Sequence, residues 1–214
     1  MKIVVAGTGY VGLVTAVCLA EVGHTVTCVD VVEEKIKMLN EGKSPIYEPG
    51  LEELMLNNKE KLTYTLDSKN AYKNADVIFI GVGTPEKKDG SANLKYVYQV
   101  AKEIAENIEK DTIIVLKSTV PIGTNSKMEK FIKANLKNNV KIEVVSNPEF
   151  LAQGTAVRDT LHAQRIVIGV ESEYAEQIMK EVYDGFNIPY VITNRESAEM
   201  IKYAFDNGYK VRLF

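Results

Sequence analysis

Residues 1–30, MKIVVAGTGYVGLVTAVCLAEVGHTVTCVD, constrain the fold of this chain more than any other stretch. The apolar run Lys2–Ala6 reads as a buried strand. It leads into Gly7-Thr8-Gly9-Tyr10-Val11-Gly12, which fits G-x-G-x-x-G. A helical pattern follows to Glu21, then a turn at Gly23-His24, then a second strand over residues 25–29. Asp30 closes the unit. Strand, tight turn, helix, strand and acid is the order of a dinucleotide-binding βαβ unit. Gly7 permits the turn, Gly9 lets a pyrophosphate approach the backbone, and Gly12 lets the helix lie close to the sheet. Free N–H groups at the helix start, with the positive end of its dipole, would face the phosphates. Asp30 would accept hydrogen bonds from ribose hydroxyls and repel a 2′-phosphate, so NAD is expected rather than NADP.

The same alternation continues. Helices are expected over residues 31–41, 51–57, 94–108, 123–136 and 172–183, with shorter ones over 67–73 and 151–157 and another from Glu196 onward. Strands are expected over 62–66, 75–80, 112–116, 140–145, 165–170 and 190–192. With no Gly/Ser-rich linker and no repeat, the fold class is α/β: a doubly wound, mostly parallel, Rossmann-like sheet. Residues 1–194 form the expected domain, and 195–214 begin a connecting helix with an atypical tail.

Composition narrows the function classes. A formal charge of -3 gives no basic field for nucleic acid or an anionic membrane. No apolar run reaches a membrane span, and one Lys followed by a strand is not a signal peptide, so a cytoplasmic location is expected. Cys18 and Cys28 lie among apolar neighbours without metal-ligand spacing, so both read as buried thiols and no metal is expected. His24 reads as a turn residue and His162 as a loop residue.

In doubly wound sheets, ligands bind beyond the carboxyl ends of the strands. Polar or small residues collect there: Gly9, Gly12, Asp30, Thr84, Ser118, Thr119, Asn147 and Glu149. Glu149 could serve as a base or hold a water, and Thr119 could bond a substrate hydroxyl or that water.

Five stretches carry a resemblance: AGTGYVGLVTAVCLAEVGHTVTCVD, GKSPIYEPGLEEL, ADVIFIGVGTP, KSTVPIGT and SNPEFLAQGTAVRDTLHAQRIVIG. Together they resemble the N-terminal half of the UDP-glucose and GDP-mannose dehydrogenases, nearer the UDP-glucose branch. The resemblance implies a complete enzyme that oxidises UDP-glucose to UDP-glucuronate with two NAD, through a cysteine thioester that water hydrolyses. It implies that Gly7, Gly9, Tyr10, Val11, Gly12, Asp30, Lys35, Thr84, Ser118 and Thr119 face the cofactor. Glu149, Phe150, Leu151, Ala152 and Lys202 would face the nucleotide sugar, and Thr119, Glu149 and Lys202 would be catalytic. Lys202 would stabilise a developing oxyanion.

The chain departs from the family at several points. Gln153 stands where an acid is common, and His162-Ala163-Gln164-Arg165 replaces H-P-D-R. Residues 205–214 have no family match, break the helical pattern, with Asn207-Gly208 following Asp206, and read like a changed reading frame or an engineered terminus. Neither cysteine matches the family nucleophile, so complete turnover by this chain alone is not expected. The partners implied are UDP-glucose, with an incomplete pocket, and either a second copy in a homodimer or the missing C-terminal half. The competing readings are a stand-alone NAD-binding module or sensor, and a GDP-mannose or UDP-aminosugar dehydrogenase domain.

Overall fold

The computed structural model describes residues 1–206. Its strands are β1 (Lys2–Ala6), β2 (Thr25–Val29), β3 (Leu62–Thr65), β4 (Val77–Ile80), β5 (Thr112–Leu116), β6 (Ile142–Ser146), β7 (Ile166–Gly169) and β8 (Tyr190–Thr193). They form one sheet in the order β3-β2-β1-β4-β5-β6-β7-β8. All pairs are parallel except β6–β7, which meet antiparallel at the single position Ser146↔Gly169. The doubly wound reading therefore holds, with the antiparallel step placed beside the end of β6.

Helices cover both faces. On one lie α1 (Tyr10–Glu21), α2 (Glu33–Asn40), α3 (Leu51–Asn57), α7 (Ala156–Leu161) and α8 (Glu173–Tyr183). On the other lie α4 (Ser68–Tyr72), α5 (Lys95–Asn107), α6 (Thr124–Asn135) and α9 (Arg195–Asp206). The central strands β4 and β5 are buried along their whole length, as sheets covered on both faces require. From Gly12 to Ala20, α1 has no exposed residue, so it is a core helix and carries no amphipathic stripe.

The structure starts α7 five residues later than the sequence pattern predicts. Residues 148–155 are held irregular by side chains: Leu151 N–H donates to Glu149, and Gly154 N–H donates to Tyr10 and Glu48. Gly154 has φ +87°, so the chain leaves helical backbone there. At the other end, Phe205 and Asp206 continue α9 instead of breaking it. The break expected at Asn207-Gly208 lies outside the described residues.

Both cysteines are buried and free, and burial pushes each thiol up to about 12. His24 does more than turn the chain. It is buried; its Nε2 donates to Val182 O at 2.8 Å, and the N-terminal amine stands 3.3 Å from Nδ1. Burial lowers its pKa, the Val182 carbonyl opposes this, and the N-terminal charge adds to the lowering. Because the folded pKa is depressed, His24 contributes stability above the unfolded value near 6.5. That stability is lost as the pH falls through the folded value. Urea midpoints at about pH 7.5 and about pH 5.5 should therefore differ more in the parent than in His24→Gln. Equal differences would remove His24 from the acid response.

Candidate functional site

The glycine turn is built by contact rather than by composition. Gly7 has φ +97°, and a Cβ there would stand 3.0 Å from Gly81 O. A Cβ on Gly12 would stand 2.0 Å from Gly7 O. These two glycines let β1, α1 and the end of β4 meet. Gly9 differs: its φ is -73°, and a Cβ on it would meet nothing within 4 Å. The space beside Gly9 is open at the N-terminus of a twelve-residue helix, where orphan amides and the helix dipole favour an anion.

Asp30 stands at the end of β2, next to this turn. Its Oδ2 accepts from Thr8 N–H (2.7 Å) and Thr8 Oγ1 (2.6 Å), and its Oδ1 accepts from Val32 N–H (3.0 Å). Lys35 Nζ lies 4.0 Å from Oδ2. Burial works to raise the Asp30 pKa. The two bonds from Thr8 and the one from Val32, with Lys35, outweigh it, so the carboxyl is held below its ordinary value. A carboxylate has about four acceptor positions. Three are taken here, so one incoming hydroxyl fits directly and a second must displace one of the bonds from Thr8 or Val32.

At the ends of β4 and β5, hydroxyls tie loop to loop. Ser118 Oγ donates to Val82 O at 2.6 Å, and Thr84 Oγ1 donates to Thr119 O at 2.9 Å. Both side chains tie the loop after β4 to the loop after β5.

Beyond β6, Glu149 Oε1 pairs with Lys202 Nζ at 3.1 Å, and both side chains are nearly enclosed. Glu149 Oε2 accepts from Leu151 N–H at 2.6 Å. Lys202 also sits 5.8 Å from the centre of the Phe150 ring, which packs edge-on against Phe205. A residue 53 positions distant in sequence is thus brought onto the acid that ends β6. Ala152 O accepts from Thr155 N–H at 3.2 Å, so the backbone around Leu151 and Ala152 is partly engaged already. Gln153 is exposed.

Two buried clusters were not evident from the sequence. Lys117 Nζ donates to Asn147 Oδ1 at 3.0 Å, Tyr183 Oη donates to the same oxygen at 2.5 Å, and Asn147 Nδ2 donates to Val167 O at 2.8 Å. Asn147 thereby joins β6 to β7 where their ladder has ended, one peptide before Pro148-Glu149. Burial lowers the Lys117 pKa to about 8. The second cluster is Glu48, from the IYEPGL stretch. It accepts from Tyr10 Oη and from Gly154 N–H (2.9 Å). Tyr10 therefore presents its hydroxyl to the loop after Glu149. The IYEPGL stretch carries part of the family resemblance, but nothing in its spacing identifies Glu48 as a hub.

A cavity of about 800 Å³ opens beside Glu149, lined by Lys117, Asn147, Phe150, Arg165, Ile201 and Phe205 among others. It does not reach Gly9 or Asp30. The turn at Gly9 and the Glu149–Lys202 pair are separate parts of one sheet edge. Among the described residues, no group of three or more His, Cys, Asp or Glu is placed to hold a metal ion. Nor is any helix among them long and apolar enough to cross a membrane.

Comparison with known proteins agrees with this geometry. The chain is 50% identical over 206 residues to a UDP-glucose 6-dehydrogenase of Bacillus subtilis, covering 95% of this chain and 47% of that protein. The solved structure of a UDP-glucose dehydrogenase from Pyrobaculum islandicum superposes with a TM-score of 0.92 at 37% identity, covering 96% of this chain and 49% of that one. A GDP-mannose dehydrogenase from Pseudomonas aeruginosa gives 0.90 at 39%, covering 97% and 49%. The chain spans about half the length of these relatives. Residues 1–187 match the NAD binding domain of the UDP-glucose/GDP-mannose dehydrogenases, and the chain belongs to that family.

Proposed function

We propose that this chain is the NAD-binding half of a UDP-glucose 6-dehydrogenase, and that the complete enzyme oxidises UDP-glucose to UDP-glucuronate. The observation that carries the reading is the pairing of two features on one sheet edge. One is the open, amide-lined turn at Gly9 beside the ionised Asp30. The other is the enclosed Glu149–Lys202 pair beyond β6.

The residues present fit NAD. Gly7, Gly9, Tyr10, Val11 and Gly12 form the turn that would hold its pyrophosphate. Asp30 and Lys35 would hold the adenosine ribose, and Thr84, Ser118 and Thr119 would border the nicotinamide side. Bound NAD supplies the hydride acceptor. Lys202 would place positive charge where a sugar oxyanion develops, and its pairing with Glu149 keeps that charge compensated until then. Glu149, freed from Lys202, could take a proton from a water, and Thr119 could orient that water. Phe150, Leu151 and Ala152 would meet the nucleotide sugar. The domain is taken as residues 1–194, with α9 as the start of the connection onward. The protein would act in the cytoplasm, as a homodimer or joined to the second half.

A GDP-mannose substrate is the second reading. It is favoured by the near-equal likeness to the two solved dehydrogenases, 37% and 39% identical. Calorimetric titration tests the proposal. NAD should bind at one site, UDP-glucose and GDP-mannose should give little heat, and UDP-glucose should produce no NADH. Absence of NAD binding would sink it, and tight binding of GDP-mannose alone would select the second reading.

A further inference from the structure

Glu199 lies on α9 with its carboxylate buried against another helix. Its Oε2 accepts from Gly123 N–H at 2.5 Å. Its Oε1 accepts from Asn125 N–H at 2.8 Å and Asn125 Nδ2 at 2.6 Å. Gly123 is the N-cap of α6 and has no side chain to cap the helix itself. Glu199 does so from across the fold, where orphan amides and the helix dipole both favour a negative charge. Two more bonds hold the first turns of α9 to α6: Arg195 to Glu129 at 2.7 Å and Ser126 to Glu196 at 2.8 Å.

Glu199 is three residues before Lys202, so the two share a helix face. A small cavity of about 10 Å³ is bordered by Glu199, Lys202, Thr119, Ser118 and Pro148. Glu199 thus stands next to the groups assigned to the reaction side. The loop 117–123, which carries Thr119, is anchored at Ser118 by Val82 O and at Gly123 by Glu199.

We infer that Glu199 is a positioning residue: by capping α6 it sets the rotation and register of α9, so that Lys202 meets Glu149, and it fixes the far end of the Thr119 loop. The importance of that arrangement rests on the function proposed above; the arrangement itself is testable without it.

The test is site-resolved acetylation of the purified chain by a limiting amine-reactive ester, read by peptide mass spectrometry. Lys202 is enclosed in the parent and should label slowly. Lys117 is also buried but is held by Asn147, so it reports general loosening. Glu199→Ala should raise Lys202 labelling about tenfold or more relative to Lys117, because local opening exposes one amine and not the other. Glu199→Gln keeps the size but sets an amide donor against N–H donors, and should raise the ratio about threefold or more. If Glu199→Ala does not fold, Glu199→Gln decides. An unchanged ratio, or a parallel rise at both lysines, overturns the inference. Labelling reports the exposure and protonation of the amine and needs neither cofactor nor substrate, so failure here leaves the functional reading standing, and the reverse holds.

Discussion

Gly12→Ala should cost this domain much of its stability, while Gly9→Ala should leave the fold nearly intact and remove cofactor binding. The two residues belong to one motif, but their surroundings are opposite. A methyl on Gly12 would stand 2.0 Å from Gly7 O, a backbone atom fixed by the turn. Relief requires α1 to move off the sheet, and α1 is buried through most of its length. Overpacking typically costs 1–3 kcal/mol; with backbone rather than a flexible side chain as the clashing partner, about 3 kcal/mol or more is expected. For a chain of this size that lowers the melting temperature by roughly 10 °C. A methyl on Gly9 meets no atom within 4 Å, and its φ of -73° suits any residue. Alanine is a poorer N-cap than glycine, so a loss of up to about 1 kcal/mol is expected. That methyl occupies the approach to the helix amides, and NAD affinity should fall by about 30-fold or more, some 2 kcal/mol. Thermal melts and calorimetry on the two variants separate these effects. Normal NAD binding by Gly9→Ala would remove the pyrophosphate from the position assigned to it.

The contrast also shows what the sequence could and could not say. Strands and helices were legible because their burial is periodic or continuous: β1, β2, β5 and α3 begin and end where pattern places them, and α1 ends there. The start of α7 was not, because Gly154 and the Tyr10 and Glu48 side chains that accept from its N–H come from three distant segments. Parallel strand order gathers Asp30, Thr84, Thr119 and Glu149 on one edge, so their association could be read from topology alone. Partner choice could not. That Thr84 and Ser118 spend their hydroxyls on carbonyls, or that Asn147 stitches β6 to β7, depends on side-chain directions that no spacing encodes. Glu199 is the clearest case: as one acid on an amphipathic helix it carries no signal, and only docking against α6 gives it a role.

Asp30→Ala should weaken NAD binding by about 100-fold and at the same time erode discrimination against NADP. Hydrogen bonds to a charged group are worth about 1.5–3 kcal/mol, and the upper end applies to an acceptor held ionised by its surroundings. The folded pKa of Asp30 is depressed, so its carboxylate is charged above the ordinary range and becomes protonated only in more acidic solution. NAD binding should therefore be flat through neutral pH and weaken in acid. The charge that accepts a ribose hydroxyl also opposes a 2′-phosphate, so the parent should bind NADP at least about tenfold more weakly than NAD. In Asp30→Ala that gap should narrow to about twofold, with Lys35, 4.0 Å from the lost carboxylate, available to the phosphate. The substitution also strands Thr8 N–H, which is buried, and a stability loss of about 1–3 kcal/mol accompanies it. Asp30→Asn serves as the control, since it removes the charge while keeping the size. If the charge governs cofactor choice, Asn and Ala should lose NADP discrimination together although their melting temperatures differ. Titration of each variant with NAD and NADP, beside a thermal melt, measures both quantities. Retained discrimination in either variant would show that Asp30 shapes the turn through Thr8 and does not choose the cofactor.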